Sequence, residues 1–98
     1  MAITALLDLQ LKADSVESAY KIIHATLTDT RAFPGCLEVT VLVDSGNPAH
    51  VVVHELWESV DHDRAYRAWR ATPEGASELG SILAAAPTLT LFTVAEGV

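Results

Sequence analysis

Val51-Val52-Val53-His54-Glu55-Leu56-Trp57-Glu58-Ser59 is the stretch around which the rest of the chain is organised. Three valines and a leucine within its first six residues predict a largely buried β-strand. Successive residues of a strand point to opposite faces. One face therefore carries Val51, Val53, Glu55 and Trp57, and the other carries Val52, His54, Leu56 and Glu58. Trp57 lies at the end of the strand, just before the next helix begins. A large aromatic side chain at this position can form one wall of a pocket.

The length of 98 residues predicts one domain over residues 1–98. A chain of this size buries only roughly 60–65% of its unfolded surface, so that association with a second copy would help it. Half of the residues are hydrophobic and 19% are charged. This apolar composition indicates that some apolar surface is covered by another subunit.

The charge and the single cysteine narrow the classes of partner and compartment. Six basic and thirteen acidic residues give a net charge of −7, which disfavours nucleic acid and anionic membranes as partners. We find neither an apolar run near the roughly 20 residues of a membrane span nor a secretory signal. Cys36 cannot form an internal disulfide, which favours the cytoplasm, and apolar neighbours such as Leu37 predict a buried, inert thiol rather than a reactive one.

The chain before the organising stretch predicts a strand, a helix and a second strand. Residues 4–12 alternate as a half-buried strand. Asp14 or Ser15 caps the first helix, with Glu17 completing a capping box. The predicted buried stripe of this helix is Val16, Ala19, Tyr20, Ile23 and Leu27. The predicted second strand, 36–43, places Leu37, Val39, Val41 and Val43 on one face and Cys36, Thr40 and Leu42 on the other.

The remaining signals complete the order of elements. Turn residues at 44–48 join the second strand to the third as a hairpin. Ser59 is a predicted N-cap of the second helix, a further helical piece covers 77–86, and 88–94 is the last strand. The order β-α-β-β-α-β predicts an α+β, ferredoxin-like fold with an antiparallel four-stranded sheet. Two helices cover only one sheet face, so we expect a second copy to cover the other.

Three short motifs carry a resemblance to a known family. They are Phe33-Pro34-Gly35-Cys36, Glu55-Leu56-Trp57-Glu58-Ser59 and Tyr66-Arg67-Ala68-Trp69-Arg70. With these motifs in this order, nearly the whole chain resembles the antibiotic biosynthesis monooxygenase family of dimeric α+β barrel proteins. The resemblance implies a homodimer whose sheets pack into a barrel, with a pocket between sheet and helices in each subunit.

The same resemblance implies several activities, because the family includes cofactor-independent oxygenases of polyketide phenols, quinol oxygenases and haem-degrading proteins. It implies that Trp57 is the pocket tryptophan of the third strand. Three positions depart from the family pattern. Val53 replaces an asparagine of the phenol-oxidising relatives, and Leu7 and Arg67 replace the asparagine and the haem-ligating histidine of the haem-degrading relatives.

A phenol or quinol can reduce dioxygen without a cofactor once it becomes its anion, so the protein needs a dry pocket, a proton acceptor and donors for the phenolate. We predict His24 as the acceptor, with an exposed helix histidine as the alternative. The predicted catalytic residues are Trp57, His24 and Tyr66. The predicted substrate-binding residues are Tyr20, Trp69, Arg70, Val53 and Leu7. A packing stripe with a solvated arginine is the alternative for Tyr66, Trp69 and Arg70.

No metal or cofactor is expected, because His50, His54 and His62 lack a ligand spacing and no Gly-rich loop is present. His54 faces the dimer interface by strict alternation, or the pocket if a bulge intervenes. The leading hypothesis is a cytoplasmic, cofactor-independent monooxygenase that acts on a small aromatic phenol or quinol with dioxygen. A non-catalytic dimeric module for a small apolar ligand, or a haem binder, is the alternative.

Overall fold

The computed structural model describes all residues, 1–98. The strands are β1 (Ile3–Gln10), β2 (Cys36–Asp44), β3 (Asn47–Trp57) and β4 (Thr88–Phe92), and the helices are α1 (Val16–Ala32) and α2 (Val60–Arg70). All neighbouring strands are antiparallel, in the order β2-β3-β1-β4. The predicted ferredoxin-like order is confirmed. The helical piece predicted at 77–86 is only a 3₁₀ turn, Leu79–Ile82, since Gly80 disfavours a helix too short to be stable alone.

The alternation of β3 decides which sheet face the helices cover. Val51, Val53, Glu55 and Trp57 are all buried, whereas the residues between them are partly exposed. In β1, Ala5 and Leu9 are fully buried on the same side, opposite Glu55 and Val51. We call the other side the outer face; it carries Leu6, Leu42, Val52, His54, Leu56 and Phe92. Leu42 and Phe92 are 49% and 47% exposed there, so the outer face is apolar and uncovered.

Strand β2 departs from the predicted alternation near its start. The register shifts between Cys36, which pairs with Trp57, and Glu38, which pairs with Leu56. This β-bulge leaves Leu37 as the extra residue and turns Cys36 to the side of the helices, with Val39 and Val41. The prediction that Cys36 lies on the opposite face from Val39 is therefore wrong. Leu37 is 56% exposed rather than packed with the valines.

Cys36 is only partly buried. Burial raises the pKa of its thiol, and the nearby Glu55 carboxylate raises it further. The raised pKa disfavours the thiolate at neutral pH, but the burial expected from the sequence is only partial.

The buried stripe of helix α1 differs from the predicted one. Ala19, Ile23 and Leu27 are buried as predicted, together with two threonines, Thr26 and Thr30. Val16 and Tyr20, also predicted to be buried, are only partly buried. The predicted capping box does not form, because the Ser15 hydroxyl donates to the Asp14 carboxylate, 3.0 Å away. In α2 the predicted N-cap is present: Ser59 Oγ accepts from the backbone N–H of His62 at 3.3 Å.

The core has two parts along the sheet. A larger aliphatic cluster joins β1, β3 and α1. A smaller aromatic cluster places Trp57 and Tyr66 with ring centroids 4.9 Å apart, and Phe33 lies 5.3 Å from Tyr66. The three motifs of the sequence meet in this aromatic cluster. Neither α1 nor α2 combines the length and the apolar composition of a membrane-spanning helix.

Candidate functional site

A cavity of about 160 Å³ lies between the sheet and the two helices. Its lining residues are Leu7, Leu9, Ile23, Thr26, Leu27, Val53, Glu55, Tyr66, Arg67, Arg70, Ser77 and Leu79. Seven of these twelve are hydrophobic, and the charged ones are one carboxylate and two guanidinium groups. A cavity of about 150 Å³ holds a molecule the size of benzene. The volume of the cavity therefore matches one aromatic ring.

Glu55 is the acidic residue of the cavity wall, and it is 1% exposed. Its Oε1 atom accepts two hydrogen bonds, from Trp57 Nε1 at 3.0 Å and from the Arg67 guanidinium at 2.7 Å. Its Oε2 atom accepts no hydrogen bond from the protein. Because Glu55 lines the cavity, Oε2 is the acceptor that this carboxylate has left for a polar group bound there. Arg67 Nε is the one fully buried side-chain nitrogen or oxygen that lacks a partner.

Arg67 holds two carboxylates at once. In addition to its bond to Glu55, Arg67 Nη2 donates to Asp63 Oδ1 at 3.0 Å. Asp63 lies one helical turn earlier in α2 and is 2% exposed. Both acids gain a charge-assisted hydrogen bond, which offsets the desolvation of burying them. The Arg67 guanidinium also lies 4.9 Å from the centroid of the Tyr66 ring. The cluster fixes Glu55 from the side of the helix.

Arg70 has only neutral partners. Its Nε donates to the Tyr66 hydroxyl at 2.7 Å, and its other nitrogens donate to the Thr26 and Gly75 carbonyls and to Thr30 Oγ1. No carboxylate neutralises this guanidinium, so its positive charge is available to an anion in the cavity. Arg70 also lies 4.8 Å from the Trp69 ring centroid, which holds its side chain in place.

The Tyr66 hydroxyl belongs to a closed chain of hydrogen bonds. Thr30 Oγ1 lies 2.6 Å from it and itself donates to the Thr26 carbonyl at 3.3 Å. Because Thr30 has only one proton, Tyr66 must donate to Thr30 while it accepts from Arg70. The phenol of Tyr66 thus positions Arg70 and has no proton left for a ligand.

The structure brings four of the predicted site residues to this cavity and leaves four outside it. Leu7, Val53, Tyr66 and Arg70 line it. Trp57 does not, contrary to expectation, because Tyr66 stacks on it and leaves the indole 0% exposed. Trp69 packs on Phe33 and Arg70, outside the lining. The catalytic and binding roles of these residues stay predictions.

Tyr20 and His24 line a different depression, between α1 and β2, together with Arg31, Val41 and Val43. Ile23 and Leu27 form a wall shared by both spaces. The Tyr20 hydroxyl donates to the Pro48 carbonyl at 2.7 Å, and His24 is exposed. Tyr20 and His24 therefore do not line the cavity that Tyr66 lines, contrary to expectation. His54 lies on the outer face, as alternation predicts.

Sequence reasoning missed Glu55, Arg67 and the two buried threonines as parts of the site. The available signal was Glu55 itself, a charged residue on the same strand face as three buried apolar ones. A buried carboxylate requires a partner. Helix α2 supplies that partner to Glu55 through Arg67. No three His, Cys, Asp or Glu side chains are grouped so as to hold a metal ion.

Comparison with solved structures finds the same fold in other proteins. A mutant of SnoaB, a cofactor-independent oxygenase from Streptomyces nogalater, superimposes with a TM-score of 0.82 at 17% identity, covering 97% of this chain and 94% of that one. A candidate antibiotic biosynthesis monooxygenase from Nitrosomonas europaea gives 0.79 at 14% identity, covering 97% and 99%. A conserved protein from Methanosarcina mazei gives 0.77 at 18%, covering 94% and 91%.

At these identities the likeness establishes the fold alone. None of the proteins of curated function matches the chain. A family model does match it, over residues 2–76, and its description is antibiotic biosynthesis monooxygenase. That range includes all four charged or phenolic residues of the cavity wall, Glu55, Tyr66, Arg67 and Arg70. The chain belongs to the antibiotic biosynthesis monooxygenase family.

Proposed function

We propose that this protein is a cofactor-independent monooxygenase that oxidises a small aromatic phenol or quinol with dioxygen, as a homodimer in the cytoplasm. The observation that carries the proposal is a mostly apolar, ring-sized cavity whose charged groups are one carboxylate and two guanidinium groups. Apolar walls suit a planar ring, while the charged groups suit a hydroxyl that must lose its proton.

The reaction balances without an external reductant. A phenol with a free para position and dioxygen give a para-quinone and one water. One oxygen atom enters the ring and the other leaves as water, with the hydrogens of the hydroxyl and of the ring carbon. The substrate supplies all the electrons, and it does so more readily as the phenolate. The task of the protein is therefore to bind the ring, take the proton and stabilise the anion.

Arg70 is suited to the last of these tasks. It donates to the Tyr66 hydroxyl, to Thr30 Oγ1 and to two backbone carbonyls. None of these partners is charged. An anion at the cavity would meet a guanidinium already oriented by these bonds. Such preorganised charge stabilises a developing anion without reorganisation during the reaction.

Oxygen uptake by the purified protein, with one- to three-ring phenols and hydroquinones and no added cofactor, tests the proposal. We expect uptake above the rate without protein, and a fall of about 10²-fold in kcat/KM for Arg70→Gln, because a charged donor to the oxyanion is lost. Arg31→Gln is the matched control, since Arg31 lines the other depression. Identical uptake with and without protein, for a compound shown to bind, would instead support the non-catalytic binding module.

A further inference from the structure

We propose that Glu55, through its Oε2 atom, accepts first the hydrogen bond and then the proton of the hydroxyl of a single-ring ligand bound in the cavity. This inference rests on the proposed function for the transfer of the proton, but not for the binding. It assigns the acceptor role to a residue other than His24, which lines a different depression.

Glu55 is the carboxylate that the fold presents to this space. It stands on the inward face of β3 between Val53, which also lines the cavity, and Trp57. Both hydrogen bonds that it accepts fall on Oε1, so that the Trp57 indole and the Arg67 guanidinium fix the plane of the carboxylate. The Oε2 atom is left without a protein donor. An acceptor held in this way loses little freedom when a hydroxyl binds it.

The proton transfer leaves the charge of the site balanced. Glu55 and Asp63 carry two negative charges, and Arg67 and Arg70 carry two positive ones. In the transfer the O–H bond of the ligand breaks, the proton forms a bond to Oε2, and the electron pair stays on the phenolate oxygen. The sum of charges is unchanged. Arg67 keeps its ion pair with Asp63, so neutral Glu55 leaves no buried cation without a partner.

The volume restricts the ligand to one ring. The cavity of about 160 Å³ is close to the roughly 150 Å³ that accommodates benzene. Sites for drug-sized ligands begin at about 300 Å³. A simple phenol or hydroquinone therefore matches the volume of the cavity, whereas a tricyclic phenol would protrude from it. The hydroxyl of a single ring can reach Glu55 while the ring contacts Val53 and Leu7.

The test compares the binding of phenol and anisole by titration calorimetry without oxygen, so that no reaction is needed. Anisole carries a methyl group in place of the hydroxyl proton of phenol. We expect wild-type protein to bind phenol more tightly, and Glu55→Gln to weaken phenol by about 10- to 100-fold, as for loss of a hydrogen bond to a charged group, with little change for anisole. Asp63→Asn is the matched control: it removes the other carboxylate of Arg67, which does not line the cavity.

Several outcomes would overturn the proposal. They are equal affinities for phenol and anisole in wild type, the same loss of phenol affinity in Asp63→Asn as in Glu55→Gln, and tighter binding of a tricyclic phenol than of phenol. The wild-type comparisons remain decisive if Glu55→Gln does not fold. With oxygen present, Glu55→Gln should lower kcat more than it raises KM, and full turnover in that variant would reject Glu55 as the proton acceptor. Glu55-dependent phenol binding without any oxygen uptake in wild type would reject the monooxygenase while retaining Glu55 as the group that binds the hydroxyl.

Discussion

His50 shows at the scale of one residue how the outer face responds to pH. Its two ring nitrogens lie 2.9 Å from an Asp44 oxygen and 3.1 Å from Asp8, so it links β1 and β2 across β3. The hydrogen bond with Asp44, and then that with Asp8, raises the pKa of His50, while the bond with His50 lowers the pKa of Asp44. The stabilisation by His50 is complete below its ordinary pKa of 6.5 and is lost as pH rises through the raised value. That of Asp44 is present above 3.8 and is lost as pH falls through the lowered value.

We therefore expect the free energy of unfolding to fall between pH 5.5 and pH 8.5 by a smaller amount in His50→Gln than in wild type. Urea unfolding at both pH values measures it, at one protein concentration so that association does not interfere. His24→Gln is the control, since that histidine is exposed and forms no pair with a carboxylate. If His50→Gln keeps the whole pH dependence of wild type, the triad of His50, Asp8 and Asp44 does not contribute to stability.

At the scale of elements, the connection between α1 and β2 sets how closely α2 approaches the sheet. Gly35 has φ +88°, a conformation that residues with a Cβ atom disfavour, and its carbonyl accepts from the backbone N–H of Glu58 at 2.8 Å. A Cβ atom at Gly35 would overlap the imidazole of His62 in the first turn of α2. The connection and the start of α2 are thus in contact because position 35 has no side chain.

We expect Gly35→Ala to lower the free energy of unfolding by about 2 kcal/mol or more, since the left-handed conformation alone costs about 1–2 kcal/mol and the His62 ring must also move. Chemical denaturation provides the measurement. Gly80→Ala should be close to neutral, because open space surrounds that glycine and its φ is not positive. Equal stability of Gly35→Ala and wild type would show that α2 does not depend on this contact.

At the scale of the whole molecule, the chain is a thin slab of 41 × 36 × 19 Å, with helices on one side of the sheet only. The outer face presents Leu42, Val52, Leu56 and Phe92 without a covering layer. Specific interfaces bury about 1,600 Å² in total and exclude charge from their centres. The outer face of a second copy would supply such a partner, as the proposed homodimer requires.

We expect light scattering at micromolar concentration to give twice the 10.5 kDa of one chain. Leu42→Lys should shift the protein toward the monomer, because it places an unpaired charge in the proposed interface. Ala68→Lys adds the same charge at an exposed position of α2 and should leave the mass unchanged. A monomeric wild type, or equal dissociation in both variants, would contradict dimerisation through the outer face.

The sequence by itself determined the order of elements and the faces of β3, because alternation, helical spacing, caps and turn residues are local properties of a chain. It also identified Tyr66, Arg70, Val53 and Leu7, which the structure brings to the cavity wall. Only the tertiary structure decided which aromatic side chains line that cavity.

The reason is that site geometry depends on contacts between residues far apart in the chain. The stacking of Tyr66 on Trp57 removes the indole from the wall, and the bulge at Leu37 turns Cys36 inward. The rotation of α1 against the sheet places His24 in a separate depression. The ion pair between Glu55 and Arg67 spans twelve residues and two elements. No local pattern encodes that approach, because it follows from how α2 packs on β3.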